Sequence, residues 1–144
     1  MVIASSMERA TRAACLKQFL ESCATSAKAD QADRLREAAC LLGLDPRGME
    51  GRKFEAMVTC GAYESASLML LGDATPFILS RGGSGTCLAS TTLADKSEDV
   101  VVEGATLTLA LLGAHVTALL AEYDGPPAAG STSEASPRAG ALFH

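Results

Sequence analysis

The sequence predicts an α+β fold: N-terminal helices, then a helix–β-hairpin(–short strand)–helix unit with a small antiparallel sheet. Three observations predict it. Apolar residues recur at helical spacing up to Leu71 and again from Gly104 to Glu122. From Pro76 the period changes, with two strand-like runs flanking Gly82-Gly83-Ser84-Gly85. Val100-Val101-Val102 is short, β-branched and bounded by acids, which suits a third strand. The expected organisation is a helical part over residues 1–53, an α-β-β-(β)-α core unit over 54–123, and a disordered tail over 124–144.

In chain order, Ser5 and Glu8 stand at capping-box spacing, a helix-start signal. Leu16, Phe19, Leu20 and Cys23 follow at i, i+3, i+4 and i+7, one face of an amphipathic helix. The pattern weakens from Thr25 to Lys28, where a break is expected. A second helix spans 30–42 with Ala32, Leu35, Ala39 and Leu42 as its stripe. Gly43 is its natural cap, and Asp45-Pro46 stops it. Residues 47–53 read as a basic, glycine-rich connector. Helical spacing resumes at Phe54, and Gly61 either kinks this helix or splits it in two. A helix from Tyr63 to Leu71 ends at Gly72-Asp73.

Phe77 to Arg81 and Thr86 to Leu93 then form a hairpin around the glycine-rich turn. A lone hairpin is marginal, so helices must cover one of its faces. The last helix carries Leu109, Leu112, Val116 and Leu119 on one side, widened by Leu107, Leu111 and Leu120. So much apolar surface implies burial on more than one side. A homodimer through this leucine-rich helix is a further expectation. The segment after Asp124 is rich in Gly, Pro, Ala and Ser and has too little apolar material to repay its ordering entropy.

Composition narrows the function. The chain has 144 residues, 48% hydrophobic but only 4% aromatic, with no Trp. A surface that stacks the bases of a single strand needs aromatics that are scarce here. Residues 1–60 hold nine Lys and Arg against eight Asp and Glu, whereas residues 61–144 hold three against nine. An acidic second half repels phosphate and suits a basic protein surface. The five cysteines are odd in number and form no CxxC, so neither a disulfide framework nor a zinc site is indicated. A reducing, cytoplasmic setting is expected. The N-terminus lacks the basic-then-apolar order of a signal peptide. The longest apolar run, Leu107 to Ala121, is shorter than the roughly 20 residues that span a bilayer.

No catalytic, cofactor-binding or metal-binding residue is nominated. His144 is in the tail and His115 lies in the most apolar helix, where a buried, hydrogen-bonded imidazole is the simpler reading. An enzyme would require a polar cleft around His115 or Cys87. Arg81-Gly82-Gly83-Ser84-Gly85-Thr86 suggests a phosphate cradle, but such a loop leads into a helix and here a strand-like run follows. Asp95, Glu98, Asp99 and Glu103 lack EF-hand spacing. Those four acids, with Arg81 and Ser84 at the hairpin tip, are the candidate partner-binding residues.

An alternative is DNA binding over residues 32–53. Ala39, Gly43, Leu44 and Met49 match helix-turn-helix spacing, and Arg47, Arg52 and Lys53 would face the phosphates. Gly48 and Gly51 fit a recognition helix poorly, each costing ~1 kcal/mol relative to Ala.

The stretch from Tyr63 to Leu120 is similar to the small "ABA sandwich" domains of phage and prophage proteins. The likeness rests on Tyr63 before the helix Ser65-Ala66-Ser67-Leu68-Met69-Leu70-Leu71, on Phe77 opening the hairpin, and on an acidic loop. It closes with Glu103-Gly104-Ala105-Thr106 leading into Leu107-Thr108-Leu109-Ala110-Leu111-Leu112. The resemblance implies a phage or mobile-element origin and no catalytic residues. The expected function is that of a non-enzymatic accessory protein that occupies a basic host or phage protein surface. An anti-CRISPR-like inhibitor of a host-defence or nucleic-acid-handling protein is one form, and a virion or assembly protein is another.

Overall fold

The computed structural model describes residues 2–92 and 99–124. Helix α1 spans Val2–Ala24, and a short 3₁₀ turn covers Lys28–Asp30. Helices α2 (Gln31–Leu41), α3 (Met49–Thr59) and α4 (Tyr63–Leu71) follow. Strands β1 (Phe77–Arg81), β2 (Cys87–Thr92) and β3 (Asp99–Gly104) precede the last helix, α5 (Leu107–Asp124). The fold is α+β, with N-terminal helices preceding a three-stranded antiparallel sheet in the order β1-β2-β3. None of the described helices is long and apolar enough to cross a membrane.

Helix α5 is the central element. Its Leu112 and Val116 join Leu16 and Phe19 of α1, Leu35 of α2 and Phe54 of α3 in one apolar cluster. Its Ala110, Leu111 and Ala114 join Cys87 and Ala89 of β2 and Leu71 of α4 in a second. Burial on two sides explains the helix's broad apolar surface. Leu109, Leu111 and Leu112 are all essentially inaccessible, so none of the three is left to meet a second copy.

Helix α5 lies close to the sheet because small residues face each other there. A Cβ on Gly113 would sit 2.9 Å from the Cγ1 of Val102, and one on Gly104 would sit 2.6 Å from the backbone nitrogen of Ala110. Thr106 caps α5, its Oγ1 accepting the Leu109 N–H at 3.1 Å.

Two helix ends use left-handed glycines as the sequence suggests. At Gly43 (φ +83°), the Gly43 N–H bonds the Cys40 carbonyl and the Leu44 N–H bonds that of Ala39. Gly61 (φ +84°) repeats the pattern with Val58 and Met57, which divides α3 from α4. Both are Schellman closures.

Two boundaries differ from expectation. Helix α1 begins at Val2, so Ser5 lies inside it instead of at its cap. Helix α3 begins at Met49, absorbing residues assigned to a connector. Gly48 is its N-cap, preceded by a turn in which the Gly48 N–H bonds the Asp45 carbonyl at 3.1 Å. Gly51 is buried within the helix against Asp45-Pro46.

Candidate functional site

The β1–β2 connection is a three-residue hairpin loop closed by its own glycines. The Gly82 N–H bonds the Thr86 carbonyl at 2.8 Å, and the Gly85 N–H bonds the Gly82 carbonyl at 3.0 Å. Gly85 takes φ +94°, which gives the bulge that follows a type I turn in such hairpins. The Gly82 and Gly85 amides are thus engaged within the hairpin, and strand β2 follows where a phosphate loop leads into a helix, so the segment is a hairpin turn.

Two open clefts meet at this tip. One, of about 550 Å³, is lined by Ser84, Thr86, Glu103 and the end of α1. The other, of about 520 Å³, runs past Arg81 to Lys28, Tyr63 and Glu64. Gly85 and Ala105 border both. The structure therefore gathers Arg81, Ser84 and Glu103 from the predicted set around one end of the sheet. Asp99 stands at the far end of β3, where its Oδ1 accepts the Thr92 hydroxyl at 3.0 Å. Asp95 and Glu98 lie outside the described residues.

The tip offers charges of both signs but no nucleophile beside a base. Cys87 is buried under the turn, its thiol 3.7 Å from the Gly85 carbonyl. His115 lines neither cleft and is half-buried in α5, where burial holds its pKa below the ordinary value. Among the described residues no group of three or more His, Cys, Asp and Glu is placed to hold a metal ion.

The sheet has a second surface that sequence reasoning missed. One face packs on α5 through Cys87, Ala89, Thr91 and Val102. The other carries Ile78 (70% exposed), Val101 (63%) and Leu88 (37%). Register places Ile78, Ser90 and Val101 in one row, and Ser80, Leu88 and Glu103 in the next. Three large aliphatic side chains and an acid thus share an open face. Strand alternation in β2 carried the signal, but with unexpected polarity: β2 buries its small residues and turns Leu88 outward.

Arg47, Arg52 and Lys53 are exposed. Arg47 lies in the α2–α3 connection, and Arg52 and Lys53 lie early in α3. Glu50 and Glu55 interleave with them on the same helix, and Glu55 is engaged by Arg36 of α2. That connection runs from Leu42 to Gly48, longer than the 3–4 residues of a compact helix-turn-helix.

Comparison with family models, curated proteins and solved structures finds no match for the chain.

Proposed function

We propose that this is a non-catalytic protein-binding module that holds its partner on the open face of the sheet. The observation that carries this reading is the inverted polarity of β2. Cys87 and Ala89 are buried while Leu88 is exposed between Ser80 and Glu103 of the neighbouring strands, one row from Ile78 and Val101. An apolar cluster on an exposed face costs solubility, and its usual use is a contact surface. Glu103 and Asp99 edge that face, which favours a partner presenting Lys or Arg around an apolar centre. The likeness of Tyr63–Leu120 to phage sandwich domains supports a setting among phage or mobile-element accessory proteins, with inhibition of a host protein as the form that fits a module without catalytic groups.

The test compares partner recovery by the wild type, by Ile78→Ser/Val101→Ser, and by Arg52→Ala/Lys53→Ala. A partner lost only with the sheet-face variant supports the reading. Equal recovery by all three sinks it. DNA binding through residues 32–53 gains one supporting observation: Gly48 and Gly51 have structural reasons to be where they are. The alternating acids on α3 weigh against it. Failure to shift duplex DNA at low salt, where phosphate contacts are strongest, disposes of that alternative.

A further inference from the structure

We propose that the outer edge of β1 pairs with the same edge of a second copy, joining two sheets into one antiparallel six-stranded sheet. The sheet is open, and among the described residues no strand pairs with β1 or β3 on its outer side. Backbone alternation fixes which amides are left. The Gly82–Thr86 bond makes Gly82 a bonded position, so Ser80 and Ile78 also bond to β2. The amide groups of Phe77, Leu79 and Arg81 then point away from the sheet.

Those three residues complement themselves under a two-fold axis normal to the sheet. With Leu79 at the centre, Leu79 meets its own copy, and each Phe77 stands opposite the other copy's Arg81. All three outward amides fall in bonded register at once. Phe77 is 39% exposed, and Arg81 is exposed without an ion-pair partner among the described residues. A guanidinium over a phenyl ring is a favourable pair, and the symmetry makes it twice. The two side chains lie on the same side of the strand, as directly opposed residues must.

The other edge is built the opposite way. Because β2 bonds to β3 through Cys87, Ala89 and Thr91, the outward amides of β3 belong to Asp99, Val101 and Glu103. Self-pairing about Val101 would set Asp99 against Glu103 of the second copy, like charge against like. Acids on an edge are a known protection against such pairing. Strand β1 carries no acid and no lysine in its five residues. The fold therefore guards β3 and leaves β1 free, and the occupant that β1 fits is itself.

Sedimentation equilibrium of the full chain, across a broad concentration range, tests this. The wild type is expected to reach twice its 14.8 kDa reversibly. Phe77→Arg places like charges across the axis twice and should weaken the dimer by about tenfold. Phe77→Arg/Arg81→Glu restores opposite charges and should recover most of that loss. Both positions are exposed, and circular dichroism checks that the variants stay folded. The Leu79 amide should exchange more slowly as concentration rises, while that of Val101 should not. A monomeric mass at every concentration overturns the proposal. So does a dimer indifferent to Phe77→Arg, or a double variant no tighter than the single.

Discussion

Gly51 lies directly against the backbone of Asp45: a Cβ built on it would come within 2.0 Å of the Asp45 carbonyl oxygen. The same atom would stand 2.7 Å from the Cα of Pro46. Both obstacles are backbone, so no side-chain rotation relieves them. In an open helix Gly→Ala gains ~1 kcal/mol. Here Gly51→Ala should instead cost about 1–3 kcal/mol through overpacking, measured by denaturant unfolding. Gly113→Ala should cost less, because its nearest obstacle is the Val102 side chain at 2.9 Å. A stabilised Gly51→Ala variant would mean that Asp45-Pro46 does not pack as described.

Gly51 also shows why residues 47–53 were illegible in sequence. Two glycines and three basic residues read as a connector, since a helix loses stability at each glycine. What offsets that loss is the close approach of Asp45-Pro46, a contact formed only once the connection folds back. Periodicity served better elsewhere. The helix–hairpin–helix order from Tyr63 onward was readable because Leu, Ala and Val recur at a period of about 3.6 in α4 and α5, and the glycine turn interrupts two short runs. The open face was not readable. Pattern alone suggests that a strand buries its large apolar residues, whereas the tight fit of Gly113 and Ala110 to the sheet selects Cys87 and Ala89 for the inside. Of the predicted site, Arg81, Ser84 and Glu103 converge because hairpin geometry brings the turn beside the β3–α5 connection. Asp99 does not join them, because antiparallel pairing puts the start of β3 at the opposite end.

Arg36 and Glu55 join α2 to α3, with the Arg36 Nε 3.1 Å from both carboxylate oxygens of Glu55. Hydrogen bonding from Arg36 holds the Glu55 carboxyl below its ordinary 4.5. A carboxylate depressed in the fold contributes stability above its unfolded pKa and loses it as pH falls through the folded one. The pair is solvent-exposed, where such bridges contribute little, so titration is the better readout. In Arg36→Ala the Glu55 midpoint, followed by carbon-detected NMR, should move up toward 4.5. An unmoved midpoint would show that the two groups do not meet in solution.

His115 titrates with the opposite charge change. Burial in α5 lowers its pKa from the ordinary 6.5 because the imidazolium is poorly solvated there. The unfolded chain then takes up this proton before the fold does. Stability from this source is complete above about 6.5 and falls as pH drops from there toward the folded pKa. His115→Gln should flatten that part of the pH–stability profile relative to wild type. Identical slopes for the two proteins would place His115 in contact with water.

The cysteines should divide by burial. Cys15, Cys40 and Cys60 are exposed, and Cys23 and Cys87 are buried. Desolvation pushes the Cys23 thiol up to about 12, against a smaller opposing effect of Arg34. It carries almost no thiolate at neutral pH, and thiolate is the reactive form. A disulfide reagent should therefore modify three thiols quickly and two only as fast as the protein opens. Rapid labelling of Cys23 in the native protein would contradict the packing of α1 on α2.

The sheet's outer face makes the most direct link from packing to function. Ile78 and Val101 flank Ser90 and are mostly exposed, so the isolated fold gains little from them. Ile78→Thr and Val101→Thr keep β-branching and hence strand preference. Each should change unfolding free energy by no more than about 0.5 kcal/mol, as exposed positions do. Truncating a central apolar contact of an interface commonly costs more than 1 kcal/mol of binding. The two variants together should thus separate stability from association: an unchanged denaturation midpoint beside partner affinity weakened by about tenfold or more. A loss of stability as large as the loss of binding would mean that this face is covered within the chain, and that the partner sits elsewhere.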